Sequence, residues 1–232
     1  MAEMKFGVLQ FPGSCDERDA VRACRRVGDA RLVWHEDTDL EDVDVVVVPG
    51  GFSYGDYLRA GAIARFAPAM EAVARHAADG RPVLGVCNGF QVLCEAGLLP
   101  GALLPNTSLR FVCRQVELVV ESAVTPFTGE CRSGERLSIP VKHETGRYFA
   151  PADQLDEIEA RGGVVLRYGP GQNPNGSVLD IAGVVNERGN VMGLMPHPEH
   201  AVDPLTGSKD GLRIFASLAA SAPPRDRQPL TA

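Results

Sequence analysis

The stretch 81-RPVLGVCNGFQVLCEAG-97 decides the fold, because an apolar run passes through a glycine-flanked cysteine directly into helical spacing. The pattern predicts a buried strand, a sharp turn at Cys87 and a helix. A nucleophile on a G-x-C-x-G turn projects into the cleft at the carboxyl end of a sheet. Unpaired N–H groups at the start of the helix also stabilise a thiolate. A small core cysteine packed between Gly85 and Gly89 would show the same pattern, so this stretch alone does not decide the function.

The segments around this turn alternate between strand and helix patterns. Strands are predicted at residues 5–10, 31–35, 43–48 and 82–86, and helices at residues 15–28, 60–79 and 90–96. Val45–Val48 is apolar on both faces, as in a strand covered on both sides of a parallel sheet. The β-α-β-β-α order predicts a flavodoxin-like α/β fold, a three-layer, wound and mostly parallel sheet.

The pattern changes after residue 105. Further strands are predicted at residues 111–120, 136–142, 164–168, 177–185 and 190–195, and a closing helix at residues 208–219. Gly, Pro and Asn turns separate these strands, so we expect antiparallel strands appended to the parallel sheet. Residues 1–220 are predicted to form one domain, and the polar, proline-rich residues 221–232 a disordered tail.

Composition narrows the classes of function. The chain has 232 residues, of which 44% are hydrophobic and 23% charged, as in an ordinary globular domain. Its formal net charge of −7 and the lack of a basic block argue against binding nucleic acid. No apolar run approaches the roughly 18 residues that span a bilayer, so no membrane association is expected. Six cysteines without a C-x-x-C pair predict reduced thiols and a cytoplasmic protein.

Two more segments supply what a cysteine nucleophile needs. The turn in 48-VPGGF-52 ends a buried strand, and its N–H groups are expected at the same edge of the sheet, where they could stabilise an oxyanion. The segment 194-LMPHPEH-200 contains His197 and Glu199, two positions apart. Because Pro198 favours extended backbone before it, both side chains should point the same way, and Glu199 could orient the imidazole.

Each of these segments has a simpler interpretation when it stands alone. The glycine pair could be an ordinary turn, and the proline-rich segment could be a stiff surface loop. His197 and His200 could also suggest a metal. The prolines exclude a helical H-E-x-x-H motif, however, and no third ligand is apparent, so we predict no metal site.

In this order, VPGGF, GVCNGFQ and MPHPE resemble the class I (triad-type) glutamine amidotransferases. Five motifs point to a narrower group and are similar to those of the glutaminase subunits that serve purine biosynthesis. These motifs lie at residues 50–61, 85–93, 106–114, 173–177 and 193–199. The resemblance covers residues 4–218. Five motifs in the same order make a chance match improbable.

The resemblance implies a role for six residues. They are Cys87 as nucleophile, His197 as acid and base, Glu199 as its orienting carboxylate, Gly51 and Asn88 as oxyanion N–H donors, and Gln91 as a contact to substrate L-glutamine. One motif departs from the family. The usual His-Gly-Glu-Gly reads His143-Glu144-Thr145-Gly146 here, which leaves the role of that glutamate undefined. We interpret His143 and Glu144 as a structural or partner-facing pair.

The resemblance also implies partners. Ammonia released from glutamine through a cysteine thioester would pass to a large synthetase subunit, accompanied by a small accessory subunit, for ATP-dependent conversion of formylglycinamide ribonucleotide to its amidine. The chain has no G-x-x-x-x-G-K-[S/T] motif, and its only G-x-G near a predicted strand, Gly169-Pro170-Gly171, lacks Rossmann spacing. We therefore expect no cofactor on this chain, and ATP and magnesium on the synthetase subunit.

Three other interpretations of the motifs remain. The chain could be a glutaminase subunit of another pathway, because the triad is shared across the family. It could be a stand-alone cysteine hydrolase, which would turn over without partners. It could also be a non-catalytic flavodoxin-like binding module, in which Cys87 would be a packed thiol that resists alkylation.

Overall fold

A nine-stranded sheet forms the centre of residues 3–221, the part of the chain that this computed structural model describes. In chain order the strands are β1 (Lys5–Gln10), β2 (Asp29–Trp34), β3 (Val45–Val48), β4 (Val83–Val86), β5 (Ala102–Pro105), β6 (Val112–Val120), β7 (Arg136–His143), β8 (Thr145–Phe149), β9 (Val164–Tyr168), β10 (Ile181–Val185) and β11 (Val191–Leu194). The α-helices are α1 (Glu17–Cys24), α2 (Pro68–Ala78), α3 (Asn88–Glu95), α4 (Ala152–Ala160) and α5 (Leu212–Ser221). Strands β5 and β8 pair separately from the large sheet.

The large sheet has a parallel half and an antiparallel half. Its strand order is β2-β1-β3-β4-β11-β10-β9-β6-β7. The pairings from β2 to β11 are parallel, and those from β11 to β7 are antiparallel. This confirms the predicted α/β fold with appended antiparallel strands. Strand β11 belongs to both halves, because it runs parallel to β4 and antiparallel to β10.

The register of three strands positions the site. Val48 of β3 lies opposite Gly85 of β4, and Leu194 of β11 lies opposite Val86. The residues that follow these strands therefore emerge at one carboxyl edge of the sheet, where ligands of open α/β sheets bind. The motifs at residues 48–52, 87–91 and 194–200 meet there.

The core at this edge is packed closely. All four valines of β3 are fully buried, as their two-sided apolar pattern predicted. A Cβ added to Gly193 of β11 would lie 2.0 Å from the ring of Phe90, so only glycine lets α3 approach that strand. No helix within residues 3–221 is long and apolar enough to cross a membrane.

Several predicted bounds were wrong. The helix expected at residues 60–79 begins only at Pro68, because Ala67 takes an extended conformation (ψ 141°) before the proline. The strand expected at residues 177–185 begins at Ile181, after a short 3-10 turn. Strands β5 and β8 and helix α4 were not predicted. Of the predicted tail, Ser221 is the last residue of α5, and residues 222–232 lie outside the described part of the chain.

Candidate active site

Cys87 occupies a strained turn between β4 and α3. Its φ of 51° and ψ of −106° are rarely adopted by a residue with a side chain, and such strain is often found at functional sites. Gly85 and Gly89, on either side of Cys87, do not have positive φ, so the turn does not need them for their backbone freedom. They are needed for packing, because an added Cβ would lie 2.5 Å from Leu93 Cδ1 at Gly85 and 1.8 Å from Val48 O at Gly89.

Two contacts with backbone carbonyl groups hold the turn at Cys87 in place. The N–H of Cys87 donates to the carbonyl of Leu194 at 2.8 Å, which ties the turn to the end of β11. The thiol Sγ lies 3.8 Å from the carbonyl oxygen of Lys142 in β7. Cys87 is buried, with 6% of its surface exposed, yet it lines a pocket. The thiol is therefore fixed and still reachable by a small substrate.

His197 and Glu199 form a buried pair. Nδ1 of His197 lies 2.6 Å from Oε1 of Glu199, and both side chains are about 1% exposed. The sequence predicted that Glu199 could contact the ring of His197, as it does here. The predicted reason, an extended backbone through both residues, was wrong. Pro198 starts a 3-10 turn, Pro198–His200, and this turn rather than an extended strand brings the carboxylate back to the ring. The N–H of His197 donates to the carbonyl of Pro140, which fixes the segment against β7.

The surroundings of His197 favour its protonated form. Burial by itself would lower the imidazole pKa, but the negative charges of Glu199 and Cys87 outweigh burial and raise the pKa to about 10. Nε2 makes no hydrogen bond within residues 3–221. It is the nitrogen left for proton exchange with Cys87 and a substrate.

The two backbone amides predicted to stabilise an oxyanion belong to Gly51 and Asn88. The neighbours of Gly51 form the local hydrogen bonds, Cys15 N–H to Gly50 O at 3.3 Å and Phe52 N–H to Gly13 O at 2.9 Å, which leaves the N–H of Gly51 without an acceptor among residues 3–221. Gly51 has a φ of 145°, and a Cβ there would lie 2.6 Å from Cys15 N. Asn88 is the first residue of α3, so its N–H has no acceptor within the helix.

The side chains of Asn88 and Gln91 support each other. Nδ2 of Asn88 donates to Oε1 of Gln91 at 2.9 Å, and Oδ1 of Asn88 accepts from the N–H of Ser53 at 3.1 Å. Nε2 of Gln91 donates to the carbonyl of Thr145. Gln91 is therefore held in one orientation on the pocket wall, one helical turn after Cys87.

The pocket above Cys87 has a volume of about 470 Å³, within the usual range for small-ligand sites. Gly51, Gln91 and His197 line it together with Cys87, while Asn88 and Glu199 are buried behind its wall. Charged side chains of both signs also line it, namely Asp16, Asp56, Arg59, Glu95, Lys142 and Glu144. This mixture suits a small zwitterion such as an amino acid.

His143 is part of the pocket wall but makes structural contacts. Its Nδ1 lies 3.2 Å from Oδ1 of Asn106, and its Nε2 lies 3.5 Å from Nδ2 of Asn175. Burial lowers its pKa to about 4, so the ring is neutral at physiological pH. Glu144 points to the surface. These contacts agree with our interpretation of His143 as a structural residue.

Sequence reasoning missed one residue of the site, Asp16. Its buried carboxylate pairs with Nζ of Lys142, lies 3.2 Å from Nε2 of His200 and 3.6 Å from Nδ1 of His197. An Asp at the start of a helix is normally read as a cap, so the local pattern held no signal for this role.

Asp16 also bears on the question of a metal. It brings a carboxylate next to His197, Glu199 and His200, with ligand-type atoms of all four residues within 4.8 Å of one another. The expectation that no third ligand lies near the two histidines is therefore not met. The ammonium group of Lys142 already neutralises Asp16, and Glu199 is paired with His197, so this cluster is balanced by the protein's own charges.

Comparisons with known proteins show the family to which the chain belongs. A profile described as the CobB/CobQ-like glutamine amidotransferase domain matches residues 3–213. Phosphoribosylformylglycinamidine synthase subunit PurQ of Salinibacter ruber is 58% identical over 223 residues, 92% of this chain and 95% of the relative. The subunit of the same name from Rubrobacter xylanophilus is 58% identical over 220 residues, 94% of this chain and 99% of the relative.

Solved structures give the same result. A chain in the structure of PurLQS from Thermotoga maritima is 44% identical and superposes with a TM-score of 0.87, covering 94% of this chain and 98% of that chain. A glutamine amidotransferase from Thermotoga maritima, 16% identical with a TM-score of 0.56, covers 94% of this chain and 91% of its own. At that identity the second likeness concerns the fold alone.

Proposed function

This chain belongs to the CobB/CobQ-like glutamine amidotransferase family, and from that premise we propose that it is the glutaminase subunit of phosphoribosylformylglycinamidine synthase. The observation that carries the proposal is the identity of 58% with PurQ subunits over nearly the full length of both chains. Cys87 and His197 line one pocket of suitable size, and Glu199 contacts His197 from behind its wall, which supports the proposal. A glutaminase of another pathway is less favoured, because both of these relatives, at 58% identity over more than nine tenths of this chain, carry the name of this one enzyme.

The first half of the reaction forms a thioester. Sγ of Cys87 attacks the side-chain amide carbon of glutamine, and the oxygen becomes an oxyanion that accepts hydrogen bonds from the N–H groups of Gly51 and Asn88. His197 gives its Nε2 proton to the nitrogen, the C–N bond breaks, and ammonia leaves. Glu199 stabilises the charged imidazole and keeps Nε2 directed at the reacting atoms.

The second half regenerates the enzyme. Neutral His197 takes a proton from a water molecule, whose oxygen attacks the thioester carbon, and the same two amides again hold the oxyanion. The C–S bond then breaks, which releases glutamate and returns the thiolate beside the imidazolium. The net reaction consumes one glutamine and one water and yields glutamate and ammonia.

The ammonia must be used by another polypeptide. Conversion of formylglycinamide ribonucleotide to its amidine consumes ATP, and this chain has no Walker-type phosphate loop. We assign ATP and magnesium to a large synthetase subunit, with which this chain and a small accessory subunit would assemble in the cytoplasm. The six free cysteines fit such a reducing compartment.

The mouth of the pocket offers a surface for this synthetase. Phe52 and Phe111 line the pocket and are about half exposed, and Tyr57 and Leu58 in the following loop are 90% and 71% exposed. Exposed apolar side chains grouped around a pocket are typical of protein contacts. A synthetase docked here would cover the pocket from which ammonia leaves.

Co-purification with the synthetase tests the proposal. We expect the subunits to form a complex in which the synthetase raises glutaminase activity, because uncoupled hydrolysis would waste glutamine. Joint replacement of Tyr57 and Leu58 by serine should weaken the complex, whereas Val124→Ser, which alters an equally exposed side chain outside the pocket, should not. Vigorous glutaminase activity that does not respond to the synthetase would favour a stand-alone hydrolase.

A further inference from the structure

Asp16 stands at the beginning of α1 but does not cap it. The residue occupies the N-cap position with a φ of −107° and a ψ of 5°, and its side chain makes no hydrogen bond to the helix. Aspartate is favoured at this position because its carboxylate accepts from the first free amides of the helix. Here that stabilisation is forgone, and the carboxylate is buried, with 4% of the side chain exposed.

The carboxylate is directed into the active site. Oδ2 of Asp16 lies 3.6 Å from Nδ1 of His197, the ring nitrogen that also contacts Glu199. A Cβ added to Gly50 would lie 2.4 Å from Oδ2 of Asp16 and 2.7 Å from Cε1 of His197, so the carboxylate and the ring both press against this glycine. The N–H of Asp16 donates to the carbonyl of Gly50 at 3.2 Å. Asp16 therefore contacts both the imidazole of His197 and the Gly50–Gly51 turn, which we call the oxyanion turn because the N–H of Gly51 is a predicted oxyanion donor.

The side chains of Lys142 and His200 help to keep the carboxylate of Asp16 ionised. Lys142 and His200 both contact its Oδ1. Burial opposes ionisation, but the hydrogen bond from His200 and the charges of His197 and Lys142 hold the pKa of Asp16 well below its usual range. The main chain of Lys142 is also the group that contacts the thiol of Cys87. One charged cluster thus links the elements that carry the nucleophile, the imidazole and the oxyanion turn.

We propose that Asp16 is a second carboxylate for His197, a positioning residue that holds the Nδ1 edge of the imidazole beside the oxyanion turn and, with Lys142 as its counter-ion, adjusts how strongly the ring keeps its proton. The inference rests on the proposed function in that His197 is the acid and base of glutamine hydrolysis. Glu199 makes the short hydrogen bond, and Asp16 adds charge and packing from the N-terminal end of α1.

The proposal predicts opposite effects for the two ends of the Asp16–Lys142 pair. The charged or titratable groups around His197 are Glu199, Asp16, Cys87, Lys142, His143 and His200. An opposite charge within 4–6 Å commonly shifts a pKa by about one to three units. Removal of the Asp16 charge should therefore lower the pKa of His197, and removal of the Lys142 charge should raise it. A residue that merely supports the fold would not produce shifts of opposite sign.

Titration of the histidine rings by NMR tests this in the full chain. The protein has five histidines, and the signal of His197 is assigned by its loss in His197→Gln. We expect Asp16→Asn, which keeps the shape but removes the charge, to lower the midpoint of His197 by about one unit or more, and Lys142→Met to raise it. Asp19→Asn, on the exposed side of the same helix, is the matched control and should leave it unchanged.

Unchanged midpoints in folded Asp16→Asn and Lys142→Met, or shifts of the same sign, would overturn the proposal. If Asp16→Asn does not fold, the His197 midpoint in Lys142→Met alone tests the proposal. The side chain of Lys142 is about one third exposed, so we expect the protein to tolerate its replacement. Glutamine hydrolysis with the synthetase present gives a second readout. Asp16→Asn should lower kcat by about tenfold or more with little change in KM, and should move the alkaline limb of the pH profile to lower pH. A wild-type chain without glutaminase activity would instead refute the proposed function and leave the titration result standing.

Discussion

Two cysteines line the same pocket, and they differ in their surroundings. Cys15 is exposed, but the partial burial of its thiol and the nearby charge of Asp16 raise the pKa of that thiol. Cys87 instead faces the protonated imidazole of His197. We expect a diazo-ketone analogue of glutamine to label Cys87 alone among the six cysteines at neutral pH. Mass spectrometry of the digested protein measures this. In Cys87→Ala the analogue should leave Cys15 unmodified, and initial labelling of any other cysteine would contradict the assignment.

The triad residues should differ in the size of their effects. His197→Ala removes the proton carrier, so thioester formation should fall at least as far as the loss of about 10²–10³-fold seen for one oxyanion donor. Glu199→Ala removes only the group that orients the ring and should be milder. His143→Ala should leave thioester formation largely intact, because His143 contacts Asn106 rather than the triad. Rapid-quench measurement of the acyl-enzyme compares them, and equal losses for His143→Ala and His197→Ala would mean that the site is incomplete.

The residues that could be predicted from the sequence share a property. Cys87 lies in one short motif, and His197 and Glu199 lie in another, so local spacing carried their chemistry. Asp16 could not be found in this way, because its partner Lys142 is 126 positions away in the chain. Its local pattern, an acid at the start of a predicted helix, had a more common explanation.

At the scale of elements, the close approach of α3 to β3 positions the turn at Cys87. The missing side chain of Gly89 makes room for the carbonyl of Val48, which an added Cβ would meet at 1.8 Å. Gly89→Ala should therefore destabilise the protein by about 1–3 kcal/mol, because the helix must shift. Gly129→Ala is the control, since its Cβ would meet nothing closer than 3.6 Å. Chemical denaturation measures both, and equal free energies of unfolding for the two variants would contradict this account of the packing.

The corner between β7 and β8 depends on a neutral histidine. Burial lowers the pKa of His143 from 6.5 to about 4, so between these pH values the unfolded chain binds a proton that the folded chain does not. The stabilisation from the neutral ring is present above pH 6.5 and is lost as the pH falls towards 4. We expect the difference in unfolding free energy between wild type and His143→Gln to shrink on acidification, by about 1.4 kcal/mol per pH unit. A difference for His143→Gln that is constant with pH would contradict the burial argument.

Elements with strong local signals were predicted well. The bounds of β1 and β9 match the sequence prediction, and β3 was recognisable because both of its faces are apolar. Helix α4 was missed because Ile158 is its only buried residue, so it shows little apolar periodicity. The junction at Pro68 was predictable from the proline, but the helical spacing around it obscured the break.

At the scale of the whole molecule, the fold gathers the residues of the proposed glutaminase site at one edge of the sheet and leaves the mouth of the pocket exposed. The parallel half of the sheet brings the segments at residues 48–52, 87–91 and 194–200 to one edge, while the antiparallel half supplies Lys142 and His143 to the pocket wall. Apolar side chains surround the opening. This arrangement suits a subunit that makes ammonia for a partner.

The most direct test of that division of labour is rescue by ammonia. Cys87→Ala removes a small side chain from a turn that is held by packing, so the variant should fold and bind the synthetase. The mutant complex should form no amidine from formylglycinamide ribonucleotide and glutamine, yet a high concentration of ammonium salt should restore ATP-dependent amidine formation to the wild-type level. If an assembled Cys87→Ala complex forms no amidine even with ammonium, or still forms it from glutamine, this chain is not the ammonia source of a coupled synthetase.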